Sequence, residues 1–124
     1  MSQRLFRAAA LSILLAGGTG SAYALYHLRL EKSEPGKDQI LKASPAEVRL
    51  WYSEKPEARL STITIQGSDS AKVTLGKVRT TDDPTSIAAD IADTLRPGTY
   101  VVKWKTAGRD GHALRGSYPF SIGK

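Results

Sequence analysis

The feature that most constrains the fold of this chain is an alternation of apolar and polar side chains with a period of two residues. It is clearest in YVVKWKT (100–106) and recurs in EVRLWYSE (47–54) and LSTITIQ (60–66). Successive side chains of a strand point to opposite faces, so this pattern is typical of strands that bury one face. The chain is therefore expected to be built mainly from half-buried strands.

Four further segments have strand character: LRLEKS (28–33), AKVTLGKVRT (71–80), SIAADIADTL (86–95) and LRGSYPFSI (114–122). The alanines of 86–95 would permit a helical turn, but the apolar residues share a face at period two, which predicts a strand. Turn residues such as RPGT (96–99) separate the segments. About seven short strands at this spacing predict an all-β domain, a Greek-key β-barrel or immunoglobulin-like sandwich. The aromatic residues Trp51, Tyr100, Trp104, Tyr118 and Phe120 are expected to pack in the core or at its edge.

Residues 1–24 are predicted to be a cleavable signal peptide, leaving residues 25–124 as a single domain. Arg4 and Arg7 precede an apolar run that ends at Ala16, and Ala22-Tyr23-Ala24 suits signal peptidase. The run is too short to span a bilayer, although an uncleaved signal anchor is the alternative. The domain is expected to be exported to the periplasm.

Composition excludes several functions. The chain has no cysteine, and its one methionine is Met1, so the exported domain would offer neither a thiolate nor a thioether to a metal or a substrate. Nucleophile elbows, phosphate loops and His-Glu-x-x-His helices are also absent. The basic residues form no run and are not interleaved with aromatic residues, which argues against nucleic acid as a partner. We expect a monomeric protein that is not an enzyme.

The two histidines, His27 and His112, are the best candidates for a functional site. If the backbone at 110–112 is extended, Asp110 and His112 project to the same side and could converge on one metal ion. Imidazole and carboxylate form a partial ligand set for Cu(II), Zn(II) or Ni(II), and His27 could supply a third ligand. The alternative is an ordinary Asp-Gly turn with two surface histidines.

The start of the mature chain decides which ligands are available. Cleavage after Ala24 gives Leu25-Tyr26-His27, in which the amine, two deprotonated amides and the His27 imidazole could form an amino-terminal Cu(II) chelate. Such a chelate would need neither Asp110 nor His112. Cleavage after Tyr26 would place His27 first, so that its amine and imidazole bind one ion together, but tyrosine is a poor residue at that cleavage position.

The order and spacing of several short motifs resemble the CopC family of periplasmic copper-binding and copper-resistance proteins. They are the early histidine, Ser33-x-Pro35-x-x-Asp38, Pro45-Ala46-Glu47-Val48-x-Leu50, Tyr52-Ser53-Glu54, Leu95-x-Pro97-Gly98-x-Tyr100-x-Val102-x-Trp104, and Asp110-Gly111-His112 with Gly116 and Phe120. The resemblance covers essentially the whole mature chain. It implies a Greek-key β-barrel of immunoglobulin-like character.

The resemblance also implies a Cu(II) site at His27, Asp110 and His112, with Glu54 as a further residue near it. The function it implies is copper resistance, buffering or delivery, with an inner-membrane copper transporter as partner. The methionine-rich Cu(I) segment of some members is missing, so only Cu(II) is expected as cofactor. A non-metal immunoglobulin-like adhesion or assembly module of the cell envelope is the alternative, and an oxidative copper enzyme is less favoured.

Overall fold

The computed structural model describes residues 27–124, which form nine strands and one short 3₁₀ helix, Ala58–Leu60. The strands are, in chain order, β1 (Leu30–Glu34), β2 (Ile40–Leu41), β3 (Glu47–Tyr52), β4 (Thr62–Gly67), β5 (Lys72–Val73), β6 (Arg79–Thr80), β7 (Ser86–Asp90), β8 (Gly98–Ala107) and β9 (Ala113–Ile122). The proposed signal peptide, residues 1–24, lies outside this range. Within it, no helix is long and apolar enough to span a membrane.

The strands form two sheets. One has four strands in the order β1-β3-β7-β6, and the other has five in the order β2-β9-β8-β4-β5. All neighbours are antiparallel except β2 and β9. The longest pairing joins β8 to β9 through ten residue pairs, from Gly98↔Ile122 to Ala107↔Ala113. The continuous pairing therefore holds both ends of the β8–β9 loop, residues 108–112, in place.

The hydrophobic core lies between the two sheets and follows the period-two pattern of the sequence. Val48, Leu50 and Tyr52 of β3 are buried against inward-facing residues of the five-stranded sheet. The Tyr52 and Trp104 rings meet edge to face across the core, with centroids 5.5 Å apart. The predicted all-β sandwich is confirmed.

Three details of the sequence prediction were wrong. The segment 71–80 is not one strand: β5 pairs with β4 in the larger sheet, and β6 pairs with β7 in the smaller one. The segment crosses between sheets, and together with the two-residue β2 this raises the strand count to nine. Leu60 belongs to the 3₁₀ helix and is exposed. Trp51 is outside the core, on the outer face between Lys32 and Arg49, each 4.6 Å from its ring centroid.

Candidate metal centre

The loop that joins β8 to β9, residues 108–112, is a tight turn. The Gly111 N–H donates to the Gly108 carbonyl oxygen at 3.0 Å, and Gly111 has a φ of +80°. This left-handed conformation favours glycine because a side chain would collide with the following carbonyl group. The backbone at 110–112 is thus not extended, so the condition under which Asp110 and His112 would project to the same side of a strand is not met.

The turn brings Asp110 and His112 together in another way. Asp110 Oδ1 accepts the His112 backbone N–H at 3.1 Å, and Asp110 Oδ2 lies 2.9 Å from His112 Nδ1. These two hydrogen bonds, the backbone one first, hold the pKa of the Asp110 carboxyl below its usual range. The carboxylate therefore stays ionised in weak acid and orients the imidazole.

The orientation matters for metal chemistry because the second ring nitrogen is free. Within residues 27–124, His112 Nε2 makes no hydrogen bond. A histidine that ligates a metal usually gives its other ring nitrogen to a carboxylate or a carbonyl, which fixes the tautomer and raises the basicity of the ligand. The Asp110–His112 pair already has this arrangement.

His27 is held next to the turn by Ser53, the residue that follows β3. Ser53 Oγ accepts the Arg29 N–H at 3.0 Å and donates to the His27 carbonyl oxygen at 3.2 Å. The Ser53 N–H also donates to the Arg29 carbonyl oxygen at 2.9 Å. Leu28, which lies between His27 and Arg29 in the sequence, packs on the core. These contacts fix the backbone of 27–29 against the end of β3.

All four predicted residues line one surface pocket of about 300 Å³: His27, Glu54, Asp110 and His112. Leu28, Ala113 and Leu114 complete its wall. They come from three separate parts of the chain, which the sandwich brings to one end. Larger grooves of about 370 and 410 Å³ lie elsewhere and contain no histidine.

The side chains do not yet form a closed ligand set. In the part of the chain that the structure describes, no three His, Cys, Asp or Glu side chains are close enough to hold one metal ion. The two side chains that would have to turn are largely exposed to solvent: His112 is 86% exposed and Asp110 is 60% exposed. Exposed side chains change rotamer on a picosecond-to-nanosecond timescale.

Sequence reasoning missed the role of Ser53 and Leu28. In the sequence, Ser53 belongs to a strand-end motif and Leu28 to a predicted strand, and neither pattern predicts these contacts. The signal for Ser53 lies in pairing, which the linear sequence does not show, since its partners Arg29 and His27 are more than 20 residues away.

The fold and the pocket define an all-β sandwich of about one hundred residues with a histidine–carboxylate cluster at one end. The CopC domain model matches residues 30–123, and the chain belongs to this family. It is 34% identical over 97 residues to Protein YobA of Escherichia coli (strain K12), covering 77% of this chain and 78% of that protein. It is 31% identical to Copper resistance protein C of Escherichia coli over 119 residues, 88% of this chain and 94% of the relative.

Solved structures agree with the assignment. The crystal structure of CopC from Methylosinus trichosporium OB3b superposes with a TM-score of 0.72 at 30% identity, covering 78% of this chain and 94% of that one. The fold expected from the family resemblance, a Greek-key β-sandwich, is thereby confirmed.

Proposed function

We propose that this protein binds Cu(II) in the periplasm through His27, Asp110 and His112, and that it acts in copper resistance, buffering or delivery. The observation that carries the proposal is that one 300 Å³ pocket gathers both histidines of the chain with two carboxylates. Relatives named for copper resistance support the choice of metal.

The donor types support the oxidation state. Imidazole and carboxylate are borderline to hard ligands, which suit Cu(II), whereas Cu(I) prefers thiolates and thioethers. Residues 27–124 contain no cysteine and no methionine, so the described domain has no sulfur ligand to offer. Cu(II) also stands at the top of the affinity order for divalent metals at a nitrogen and oxygen site.

Each residue has a distinct role in the proposed site. His112 binds through a ring nitrogen and Asp110 through a carboxylate oxygen. For Asp110 to reach the ion, its hydrogen bond to His112 Nδ1 has to open, because a carboxylate bonded to Nδ1 lies on the far side of the ring from an ion bound at Nε2. His27 supplies its imidazole. Glu54 is the remaining candidate, because it lines the pocket.

The chain does no chemistry on copper in this proposal. It holds the ion at an exposed edge of the fold, from which a partner can take it by ligand exchange. The family resemblance makes an inner-membrane copper transporter the proposed acceptor, and the protein acts as a monomer.

The proposal is tested by titrating Cu(II) into the exported protein against a competing chelator. We expect one site with a Kd well below micromolar, and His112→Ala and Asp110→Asn to weaken it at least tenfold. Asp69→Asn is the matched control, because Asp69 Oδ1 accepts the backbone N–H two residues on, from Ala71 at 3.0 Å, as Asp110 does from His112, but lies outside this pocket. The absence of a stoichiometric Cu(II) site with a Kd below micromolar would contradict the proposal and favour an adhesion or assembly module.

A further inference from the structure

The outer face of the five-stranded sheet is positively charged throughout. Strand register places Lys72 of β5, Lys103 and Lys105 of β8, and Arg115 of β9 on this face, and all four are exposed. The outward positions between them hold Thr62, Thr64, Gln66 and Ser117. None of these outward positions carries a carboxylate.

The outer face of the four-stranded sheet is different. There Arg79 lies 2.5 Å from Glu47 and 3.0 Å from Asp90, and Arg49 lies 2.9 Å from Asp82. Within residues 27–124, no ion pair involves Lys103, Lys105 or Arg115. Within the two described sheets, the cations of the four-stranded sheet thus have carboxylate partners, whereas Lys103, Lys105 and Arg115 of the five-stranded sheet have none.

The register makes this arrangement unfavourable for the isolated domain. Lys105 is directly opposite Arg115, and like charges at directly opposite positions destabilise a pair of strands. A carboxylate at Thr62, on the other side of Lys105, would relieve the repulsion, yet the position holds a hydroxyl. Because the fold does not neutralise the repulsion between Lys105 and Arg115, we infer that another molecule supplies the counter-charges for this surface.

The same face carries a shallow groove. A groove of about 370 Å³ runs across β4, β8 and β9, lined by Thr62, Thr64, Lys103, Lys105, Arg115 and Ser117, with Trp104 and Gly116 at its floor. Its lining provides three cationic side chains and three hydroxyl groups. This combination fits carboxylates that enter the groove as side chains, each able to accept from an ammonium and a hydroxyl group.

We propose that this face, which we call the basic groove, is the docking surface for an acidic protein segment. Nucleic acid fits less well, because no exposed aromatic ring lies in the groove for bases to stack on. A membrane surface fits less well because Ile40 and Leu60, the two large hydrophobic side chains that are strongly exposed within residues 27–124, do not line the groove. The basic groove is separate from the histidine pocket, and the proposal does not depend on metal binding.

The proposal is tested with an octaglutamate peptide as probe, added to the ¹⁵N-labelled protein at low salt and followed by NMR. We expect amide shifts confined to residues 62–66, 103–105 and 115–117, and a Kd that rises steeply with salt. The double variant Lys103→Glu/Lys105→Glu should bind about tenfold more weakly or worse. The matched control is Lys37→Glu/Lys77→Glu, which changes the net charge equally at exposed loop positions and should bind within about twofold of the original protein.

Two results would overturn the proposal. One is a set of shifts spread over the whole surface, with equal losses in the two double variants, since that would show attraction by net charge alone. The other is tighter binding to phosphatidylglycerol vesicles than to the peptide, with the same dependence on Lys103 and Lys105, since that would assign the face to a lipid surface. Circular dichroism of both variants verifies that each is folded.

Discussion

Gly116→Ala is expected to destabilise the domain through a single contact with Trp104. A Cβ at position 116 would lie 2.5 Å from Cζ2 and 2.8 Å from Cε2 of the Trp104 indole, whereas carbon atoms pack best at about 3.5–4.0 Å. The ring would have to retreat by about 1 Å. It cannot do so freely, because Trp104 is only 8% exposed and meets Tyr52 edge to face.

The magnitude follows from two opposing effects. Overpacking a well-packed core costs about 1–3 kcal/mol, and the upper end applies to an overlap this close with a confined ring. Replacing a glycine inside a strand by alanine returns about 0.5–1 kcal/mol of backbone entropy. The net loss is about 2 kcal/mol, which lowers Tm by about 8–16 °C in a domain of this size.

The assay is urea unfolding followed by tryptophan fluorescence, with Gly123→Ala as control. An added Cβ at Gly123 would meet its nearest atom, the Leu41 carbonyl oxygen, at 3.6 Å, an ordinary contact, so the control should change stability by less than about 0.5 kcal/mol. In a Trp104→Phe background the cost of Gly116→Ala should shrink, giving a favourable coupling of about 1 kcal/mol or more. An unchanged stability of Gly116→Ala, or an equal loss in both backgrounds, would refute the reasoning.

Three further predictions follow from the site and the core. Ser53→Ala removes the hydroxyl that ties His27 to the end of β3, so Cu(II) affinity should fall several-fold in the chelator competition while stability falls by about 1 kcal/mol; Ser53→Thr should restore both. Gly111→Ala forces a side chain into a left-handed turn and should cost about 1 kcal/mol in urea unfolding, with a smaller loss for Gly111→Asn. Burial raises the pKa of the Tyr118 phenol to about 12, so the unfolded chain ionises first and stability should fall as pH rises from about 10 to 12. Tyr118→Phe should make that fall smaller without removing it, because burial also raises the pKa of the Tyr52 phenol.

The sequence predicted most of the fold because the strands obey the period-two rule. In β3 the pattern names the buried residues Val48, Leu50 and Tyr52 correctly, since one face of an antiparallel strand meets the core. The rule fails at 71–80, where the chain leaves one sheet for the other and only two-residue pairings form on either side. The change of sheet depends on long-range pairing, which local alternation does not encode.

The members of the candidate site were predicted better than their geometry. His27, Glu54, Asp110 and His112 line one pocket, although their metal binding stays a prediction. The sequence allows an Asp-Gly turn at 110–112 as an alternative but does not predict its geometry, because an Asp-Gly pair is compatible with several turn types that differ only in backbone dihedrals. The clustering of Lys103, Lys105 and Arg115 was also missed, since alternation along β8 and pairing with β9 disperse these residues in the linear sequence.

Both histidines are proposed to bind one copper ion, which pulsed EPR of the Cu(II)-loaded protein can test. The number of imidazole ligands can be counted from the remote-nitrogen modulation, after the mature N-terminus has been determined by mass spectrometry. We predict two imidazoles in the original protein and one in His112→Ala. A single imidazole that is unaffected by His112→Ala would contradict the claim, because it would show copper held by the amino-terminal residues alone.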